Sequence, residues 1–596
     1  MKRKESKFSF AKTVFCIVPM QYKAAPWLTT LSNLLLIIMA LASVAVIAAT
    51  QGLFDAIAGA ASGRSEFWDC ATPLLILAGI TFGLEINNGL YWFLTDVIIG
   101  KCAGKCKLIL FRKLHRLNPA NFEAPDFLDD VNKSKEGVYV ITYFCLFSYA
   151  LILNYPLYFT VVGIYLFRLK PILLFTLLLS FFPAFLAYFF RIKVFIELEQ
   201  ESAPLRREHE YYQKTLCDRE YFKETRILGA FHFFHNLFSE TLLILTHKIW
   251  QVERKNALLQ LGLNFTSFAG MSISAYLLFT ATMSGEISVG AFAAVFAALG
   301  SIFGWMQAMI TQHLGNMIKY FGKVYHFLRV MDMPEVSGVE AKPDLSKGVI
   351  AKNICFTYPG RDEPAVKNVS LTIAKDETIA IVGENGAGKS TLVRLLTGIY
   401  RPSEGTIILG GLDTMNTAPK SLYQGISGVF QKYQRYKMTL GENVTISNTK
   451  TELDDVRVES VLCEAGAELE GIVLTDMLSP EFEGIDLSGG QWQRLAIARG
   501  LYRINGFIVL DEPTAAIDPI EETRVYTQFQ QLAVGKCAVI VTHRLGSAKL
   551  ANRIVVMNAG KIVDIGTHDE LLNRSGKYAD MWKAQAVWYE REPIPH

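Results

Sequence analysis

The sequence predicts a chain in two parts, an all-helical membrane half followed by an α/β half of soluble character. Three observations predict it. Of the 596 residues, 51% are hydrophobic and only 19% charged, whereas soluble domains carry about 25% charged residues. The apolar residues gather into long runs between Trp27 and about Gln312. From about Met333 onward, short β-rich runs alternate with helical patterns instead. The charge balance, 59 basic against 56 acidic side chains for a net +3, opposes a polybasic nucleic-acid scaffold and an acidic disordered chain. Nine cysteines, odd in number and scattered, oppose a disulfide framework. The close pair Cys102 and Cys106 lacks the further ligands of a zinc site.

The first half is read from segment length. A spanning helix needs about 20 mostly apolar residues, and six segments meet that need: 27–50, 73–99, 138–166, 171–196, 257–281 and 287–312. The first is too long for the apolar core of a signal peptide and lacks a cleavage site. Arg168 to Pro171 leaves only a tight loop between the third and fourth. Charge sets the orientation. Basic residues crowd the N-terminal segment (Lys2, Arg3, Lys4, Lys7, Lys12, Lys23), the second-to-third connection (Lys101 to Lys135) and the fourth-to-fifth connection (Arg206 to Lys255). The first-to-second loop has Arg64 against Asp55, Glu66 and Asp69, and the fifth-to-sixth has only Glu286. The expectation is a multi-pass protein of a bacterial-type inner membrane, with the N-terminus, both long loops and the C-terminal half in the cytoplasm. Residues 1–26 form the N-terminal segment, 27–331 the membrane domain, 332–348 a linker and 349–596 the soluble domain.

Two stretches of the inner connections, Phe111–Phe122 and Asp218–Gly229, mix apolar and charged residues as amphipathic helices do. They read either as short helices offered to a cytoplasmic partner or as solvated hairpins. Glu85, Asn87, Asn88 and Asn154 are polar residues inside spans, where function is the default suspicion. Pairing within the bundle or an unspecific aqueous cavity is the favoured reading of Glu85 over an ion or substrate ligand. The aromatic run Tyr143, Phe144, Phe147, Tyr149, Tyr155, Tyr158 and Phe159 reads more readily as lipid-facing than as a substrate lining.

In the second half, the apolar strand Ile379–Val382 leads into Gly383, Glu384, Asn385, Gly386, Ala387, Gly388, Lys389, Ser390 and Thr391, and then into a helical pattern. This is GxxxxGKS in its strand–loop–helix context, a nucleotide phosphate loop. The glycines let backbone N–H groups curl around phosphate, and the helix N-terminus adds its positive end. Lys389 reaches the β- and γ-phosphates, and Ser390 can ligate Mg²⁺. A second apolar strand, Phe507–Leu510, ends in Asp511 and Glu512. Asp511 suits the magnesium, and Glu512 suits acceptance of a proton from attacking water. Ser488, Gly489, Gly490 and Gln491 after Leu487 open a helix-period segment and make a second anion site. A phosphate loop and a separate anion-binding helix start in one chain suggest two chains sandwiching nucleotide.

These residues resemble the ATP-binding cassette (ABC) family, whose signature is LSGGQ. The resemblance assigns Gln431 to the Q-loop, where it serves both catalysis and the metal, Asp518 to the D-loop, His543 to the switch histidine and Tyr358 to the aromatic that stacks on adenine. It covers the whole chain and implies an α-helical membrane domain of six transmembrane helices fused to an α/β P-loop ABC ATPase domain, an exporter-type half-transporter using ATP and Mg²⁺. It also implies a second transporter chain, read as an identical one because every cassette motif is intact, a lipid bilayer around the spans, no nucleic-acid partner, and coupling helices in the two inner connections. The stretches Gln431–Asn443 and Phe222–Gly229 resemble bacterial exporters of lantibiotic and related modified peptides. About 25 residues precede the first span, too few for the cysteine-peptidase domain of some peptide exporters. A modified peptide is the candidate cargo. The alternatives are a lipid flippase, a multidrug exporter, an importer built on the exporter fold and a nucleotide-gated sensor; intact Glu512 and His543 argue for turnover against the last.

Overall fold

A computed structural model describes residues 10–63, 67–449, 454–467, 469–503, 506–512, 526–527, 529–530 and 533–590. Arg64 and Glu66 of the first-to-second loop and Asp518 of the expected D-loop lie outside the described residues. The chain divides into two compact units, one of residues 1–112 and 130–332, the other of residues 113–129 and 333–596.

The first unit is built of helices α1 (Phe10–Ala24), α2 (Pro26–Ala61), α3 (Phe67–Arg116), α4 (Pro125–Tyr149), α5 (Tyr155–Leu169), α6 (Pro171–Cys217), α7 (Phe222–Ile227), α8 (Phe231–Met283), α9 (Val289–Gln307) and α10 (Gly315–Asp332). The helical stretches 26–61, 67–116, 125–169, 231–283 and 289–332 are long and apolar enough to cross a membrane, and α6 opens with the shorter apolar stretch Pro171–Pro183. Five of the six expected spans fall within one of the five long stretches or within two residues of it; the fourth, 171–196, lies in α6, where the apolar stretch covers only Pro171–Pro183, and the helices run on well past the apolar segments. A helix satisfies its own backbone, so it need not stop where the apolar sequence does. α6 packs along α8, and α2 packs against α5 and α9, with Ala40, Tyr158, Val162, Leu278, Ala294 and Ile302 in the shared core. At the start of α9 the Asp55 carboxylate accepts from Gly290 N (2.8 Å) and Ser288 Oγ (3.1 Å). A Cβ on Gly290 would lie 2.4 Å from that carboxylate, so the contact requires glycine. Lys170 and Glu286 from the third-to-fourth and fifth-to-sixth loops pair at 2.7 Å.

Two π-helical segments, Ala150–Asn154 and Ala308–Leu314, interrupt the third and sixth spans. Pro156 explains the first: it has no N–H to return to the preceding turn, so the ladder re-registers ahead of it. The two segments meet, and Tyr155 Oη lies 3.0 Å from His313 Nδ1 between them. Around this pair most of the aromatic run points inward, with Phe147 and Phe159 half-buried and Tyr143 left exposed. Phe144, Tyr149, Tyr155 and Tyr158 are buried, and Tyr158 stacks on Trp305 at 4.6 Å. The lipid-facing reading is therefore corrected for these four; ring edges and hydroxyls find partners between helices that a lipid tail cannot offer. Asn87 donates to Leu35 O at 3.1 Å and joins α3 to α2. Glu85 is exposed on α3 and has no ion-pair partner among the described residues.

The second unit has a four-stranded antiparallel sheet in the order β2-β1-β4-β5, made of β1 (Val349–Phe356), β2 (Val366–Ile373), β4 (Glu404–Leu409) and β5 (Leu412–Asp413). A six-stranded sheet in the order β10-β9-β3-β8-β7-β6 contains β3 (Thr378–Gly383), β6 (Ile426–Val429), β7 (Phe507–Asp511), β8 (Cys537–Val541), β9 (Arg553–Asn558) and β10 (Lys561–Gly566). From β9 to β6 the pairing is parallel, and β10 closes one edge antiparallel. Every residue of β3, β7 and β8 is buried, as a parallel strand covered on both faces demands. The helices are α11 (Lys389–Leu396), α12 (Pro419–Tyr423), α13 (Leu440–Thr445), α14 (Asp455–Glu464), α15 (Gly489–Tyr502), α16 (Leu545–Ala548), α17 (His568–Asn573) and α18 (Lys577–Glu590). α13, α14 and α15 form a separate helical layer with Trp492 and Leu495 in its core.

Residues 118–124 belong to this second unit. Asn118 accepts from Ala120 N at 3.0 Å and caps a 3₁₀ turn, Pro119–Glu123. Ala120 is buried in the same core as β1 and β2. The expected helix over Phe111–Phe122 is thus the end of α3 followed by one turn, because Asn118-Pro119 stops the helix. The expected helix over Asp218–Gly229 shrinks likewise to α7, Phe222–Ile227; Asp218 is extended at the end of α6, and Gly229 has φ +62°.

Candidate functional site

Four neighbouring strands, β3, β8, β7 and β6, end at one edge of the sheet, and the candidate residues follow those ends. The register aligns Ile381 of β3 with Val541 of β8 and Asp511 of β7. Lys389 follows β3, His543 follows β8, Asp511 and Glu512 end β7, and Gln431 follows β6. Ligands of open parallel sheets bind outside these carboxyl ends.

The loop from Gly383 to Gly388 is shaped by its glycines. Gly386 and Gly388 have φ of +82° and +96°, and a Cβ on Gly388 would come within 2.6 Å of Ala365 O. At Gly386 nothing lies within 4 Å of the Cβ position, so that side of the turn is open. Lys389 is buried and donates from Nζ to Gly383 O (3.0 Å) and Glu384 O (3.1 Å), curling back over the loop. Its Nζ lies 3.8 Å from Glu512 Oε1. Ser390 Oγ donates to Asp511 Oδ1 at 3.1 Å. Burial pushes the Asp511 carboxyl above the usual range, and the neighbouring Glu512 charge pushes the same way, against the Ser390 bond. Ser390 hydroxyl and Asp511 carboxylate form an all-oxygen pair of the kind a hard divalent cation takes.

Glu512 is the hub. Its backbone sits at φ +46°, in the left-handed region that glutamate seldom occupies. Its N–H donates to Val541 O at 3.0 Å, which holds the turn after β7 against β8. Such a conformation costs about 1–3 kcal/mol and persists where the surroundings over-determine it. Here it brings Oε2 to accept from Gln431 Nε2 at 3.0 Å and to lie 3.7 Å from His543 Nδ1. Lys389, Gln431, Asp511, Glu512 and His543, gathered from across the second half of the sequence, converge within one or two contacts of each other.

Tyr358 and Thr391 share a hydrogen bond of 2.8 Å between hydroxyls. The Tyr358 ring stands edge-on to Phe356 and Tyr400, and its hydroxyl lies 3.5 Å from Arg394 Nη1. Arg394 also reaches Glu123 (3.3 Å) and the Tyr400 hydroxyl (3.1 Å), and Tyr400 donates to Glu123. Burial, then the Glu123 bond, pushes the Tyr400 phenol up. Glu123, Arg394 and Tyr400 were not singled out in the sequence. An amphipathic turn signalled that something docks, and only packing identified its receptor.

Ser488 caps α15: its Oγ accepts from Gln491 N (3.3 Å), and Gln491 Oε1 accepts from Ser488 N (2.8 Å). The Gln491 side chain therefore serves the cap, while Gly489 and Gly490 have nothing within 4 Å of their Cβ positions. Among the described residues no hydrogen bond or ion pair joins Ser488–Gln491 to the phosphate loop.

A phosphate loop, the serine–aspartate pair, the carboxylate hub and the capped signature helix, arranged on this sheet, define an ABC-type ATPase domain. Comparison agrees: the family described as ABC transporter matches residues 366–515. Over 537 residues the chain is 28% identical to the subtilin transport ATP-binding protein of Bacillus subtilis, covering 87% of this chain and 86% of that protein. It is 29% identical over 400 residues to the nisin transport ATP-binding protein of Lactococcus lactis subsp. lactis, 65% of this chain and 66% of that one. It is 32% identical over 314 residues to an ATP-dependent lipid A-core flippase of Photobacterium profundum, 51% of this chain and 52% of that one. A solved structure of a bacterial Atm1-family ABC exporter with ATP bound shares the fold at TM-score 0.78, with 21% identity over 94% of this chain and 99% of that one. The chain joins an ABC transporter ATPase domain to apolar helices in the fold of that exporter; it is a multi-pass membrane ATP hydrolase coupled to transport.

Proposed function

We propose that two copies of this chain form a homodimeric exporter that moves a modified peptide out of the cytoplasm across a bacterial inner membrane. The observation that carries the peptide reading is the extent of similarity: it runs through 87% of the chain for the subtilin transport protein but about half for the flippase. The basic residues of the N-terminal segment and of the second-to-third and fourth-to-fifth connections favour a cytoplasmic ATPase domain.

In this reading Tyr358 stacks on adenine, and the Gly383–Thr391 loop with Lys389 cradles the β- and γ-phosphates. Ser390, Asp511 and Gln431 hold Mg²⁺, whose chemistry is charge neutralisation on the phosphate oxygens. Glu512 accepts the proton of the attacking water as its oxygen bonds to the γ-phosphorus and the bond to the ADP oxygen breaks. Gln431 and His543 orient that carboxylate. Ser488, Gly489 and Gly490 of one copy complete the site of the other, and Asp518 serves as the D-loop aspartate by its motif. Tighter ATP binding by the closed pair than by the open one drives the cycle.

The test uses the full chain in proteoliposomes with the ATPase domain outward. ATP-dependent uptake of a nisin-type peptide, with ATPase stimulated by it, is expected. Uptake of a fluorescent lipid without peptide uptake would replace this reading with the flippase.

A further inference from the structure

Helix α18 carries a glutamine aimed at the loop that holds His543. Gln585 Nε2 donates to His543 O (2.5 Å), and its Oε1 accepts from Leu545 N (3.0 Å). One carboxamide therefore spans the tripeptide His543–Leu545 and holds both ends. Thr542 Oγ1 holds the same turn from within, accepting from Arg544 N at 3.0 Å. The imidazole so placed lies 3.7 Å from Glu512 Oε2. α18 is itself firmly seated. Tyr578 is fully buried, and Trp582 lies between Lys549 (4.3 Å to the ring) and His568 (4.7 Å between rings). One end of α18 reaches the phosphate loop, where Lys577 pairs with Glu384 at 2.6 Å. Lys577 and Gln585 are thus two points on one rigid element, about 12 Å apart at 1.5 Å per residue.

We propose that Gln585 is a positioning residue for hydrolysis: it fixes the backbone of His543 so that the imidazole faces Glu512. The inference rests on the reading of His543 as an orienting group. A simpler role is capping of α16, whose first N–H is that of Leu545. The two roles differ in what they predict. A cap alone affects stability, whereas a positioning residue affects kcat through His543 and leaves ATP binding alone.

Gln585→Met keeps length and packing but removes both hydrogen bonds. In the full-length transporter, Q585M is expected to lower kcat about tenfold with KM for ATP within about twofold. Gln585→Glu keeps the acceptor for Leu545 N but sets a carboxylate against His543 O, so it should be slow as well. In the His543→Ala background, adding Q585M should cost nothing further, because the group it positions is gone. Parental turnover in both Gln585 variants would overturn the inference, as would losses that multiply with H543A. A drop confined to melting temperature, with kcat unchanged, would show a cap and also overturn it. If H543A alone turns over normally, the role given to His543 fails. Q585M then separates the cases: slow turnover would mean that Gln585 acts by another route.

Discussion

At Asp511 two demands conflict. To hold a cation as proposed the carboxylate must be ionised, yet burial raises its pKa. A raised folded-state pKa means that ionisation costs stability, a penalty absent at low pH and growing as pH rises from the unfolded-state value through the folded one. Asp511→Asn can still accept from Ser390 and carries no charge. It is expected to raise the melting temperature of the nucleotide-free protein at pH 7 while abolishing ATPase activity; an unchanged or lower melting temperature would contradict the burial argument. Lys389→Ala removes the one buried cation that contacts Glu512 among the described residues and should reduce hydrolysis at least about a hundredfold. Glu512→Gln preserves shape and the bond from Gln431 through its remaining oxygen, but removes the carboxylate proposed as the base. ATP binding should persist while turnover falls about 10²–10⁴-fold, and single-turnover kinetics with retained ATP would show it. Parental turnover in E512Q would place the base elsewhere.

At the scale of elements, short turns carry more than their length suggests. The turn Pro119–Glu123 is anchored by Ala120, which is 3% exposed within the core of the ATPase sheet, and by Glu123 on Arg394 and Tyr400. Ala120→Asp would bury a charge without a partner and should destabilise the second unit by about 2–4 kcal/mol. An unchanged melting curve would mean that the turn is not seated there. α7 behaves differently: Ile227 and Leu228 at its end are 86% and 69% exposed, more than Phe222 at 38%. The most exposed apolar side chains of this turn thus sit at its far end. An exposed apolar tip of this kind suits docking on a partner surface. Ile227→Ser with Leu228→Ser should leave ATP affinity unchanged and lower cargo moved per ATP several-fold; an unaltered ratio would remove α7 from the coupling path.

The whole molecule raises the question of assembly. Gly489 and Gly490 are open, and the first part of α3 leaves Leu74, Leu75, Ile76 and Phe82 more than half exposed. Both features suit a second copy. If each ATP site needs residues from two chains, a mixture of equal amounts of parental and K389A chains forms about one quarter fully parental pairs, by random pairing into closed dimers. Activity near one quarter of the parental value is expected when one defective site stops both. Activity near one half would indicate chains or sites that work independently.

The sequence by itself determined the chemistry and the order of parts. GxxxxGKS after an apolar strand, Asp511-Glu512 after another, and LSGGQ at a helix start are local patterns whose meaning depends on few neighbours, so they were legible without a fold. The long apolar runs were legible for the same reason, since a spanning helix satisfies its backbone within its own segment. What only the tertiary structure decided was which distant residues meet. The parallel register of β3, β8, β7 and β6 brought Lys389, His543, Glu512 and Gln431 together. Packing between spans turned Phe144, Tyr149, Tyr155 and Tyr158 inward, and Pro156 and its π-turn marked where. The receptor for Glu123 and the hold of Gln585 on His543, 42 residues apart in sequence, left no trace in periodicity or motif. A side-chain hydrogen bond to another element's backbone constrains one residue at one distance, and only the folded chain supplies that distance.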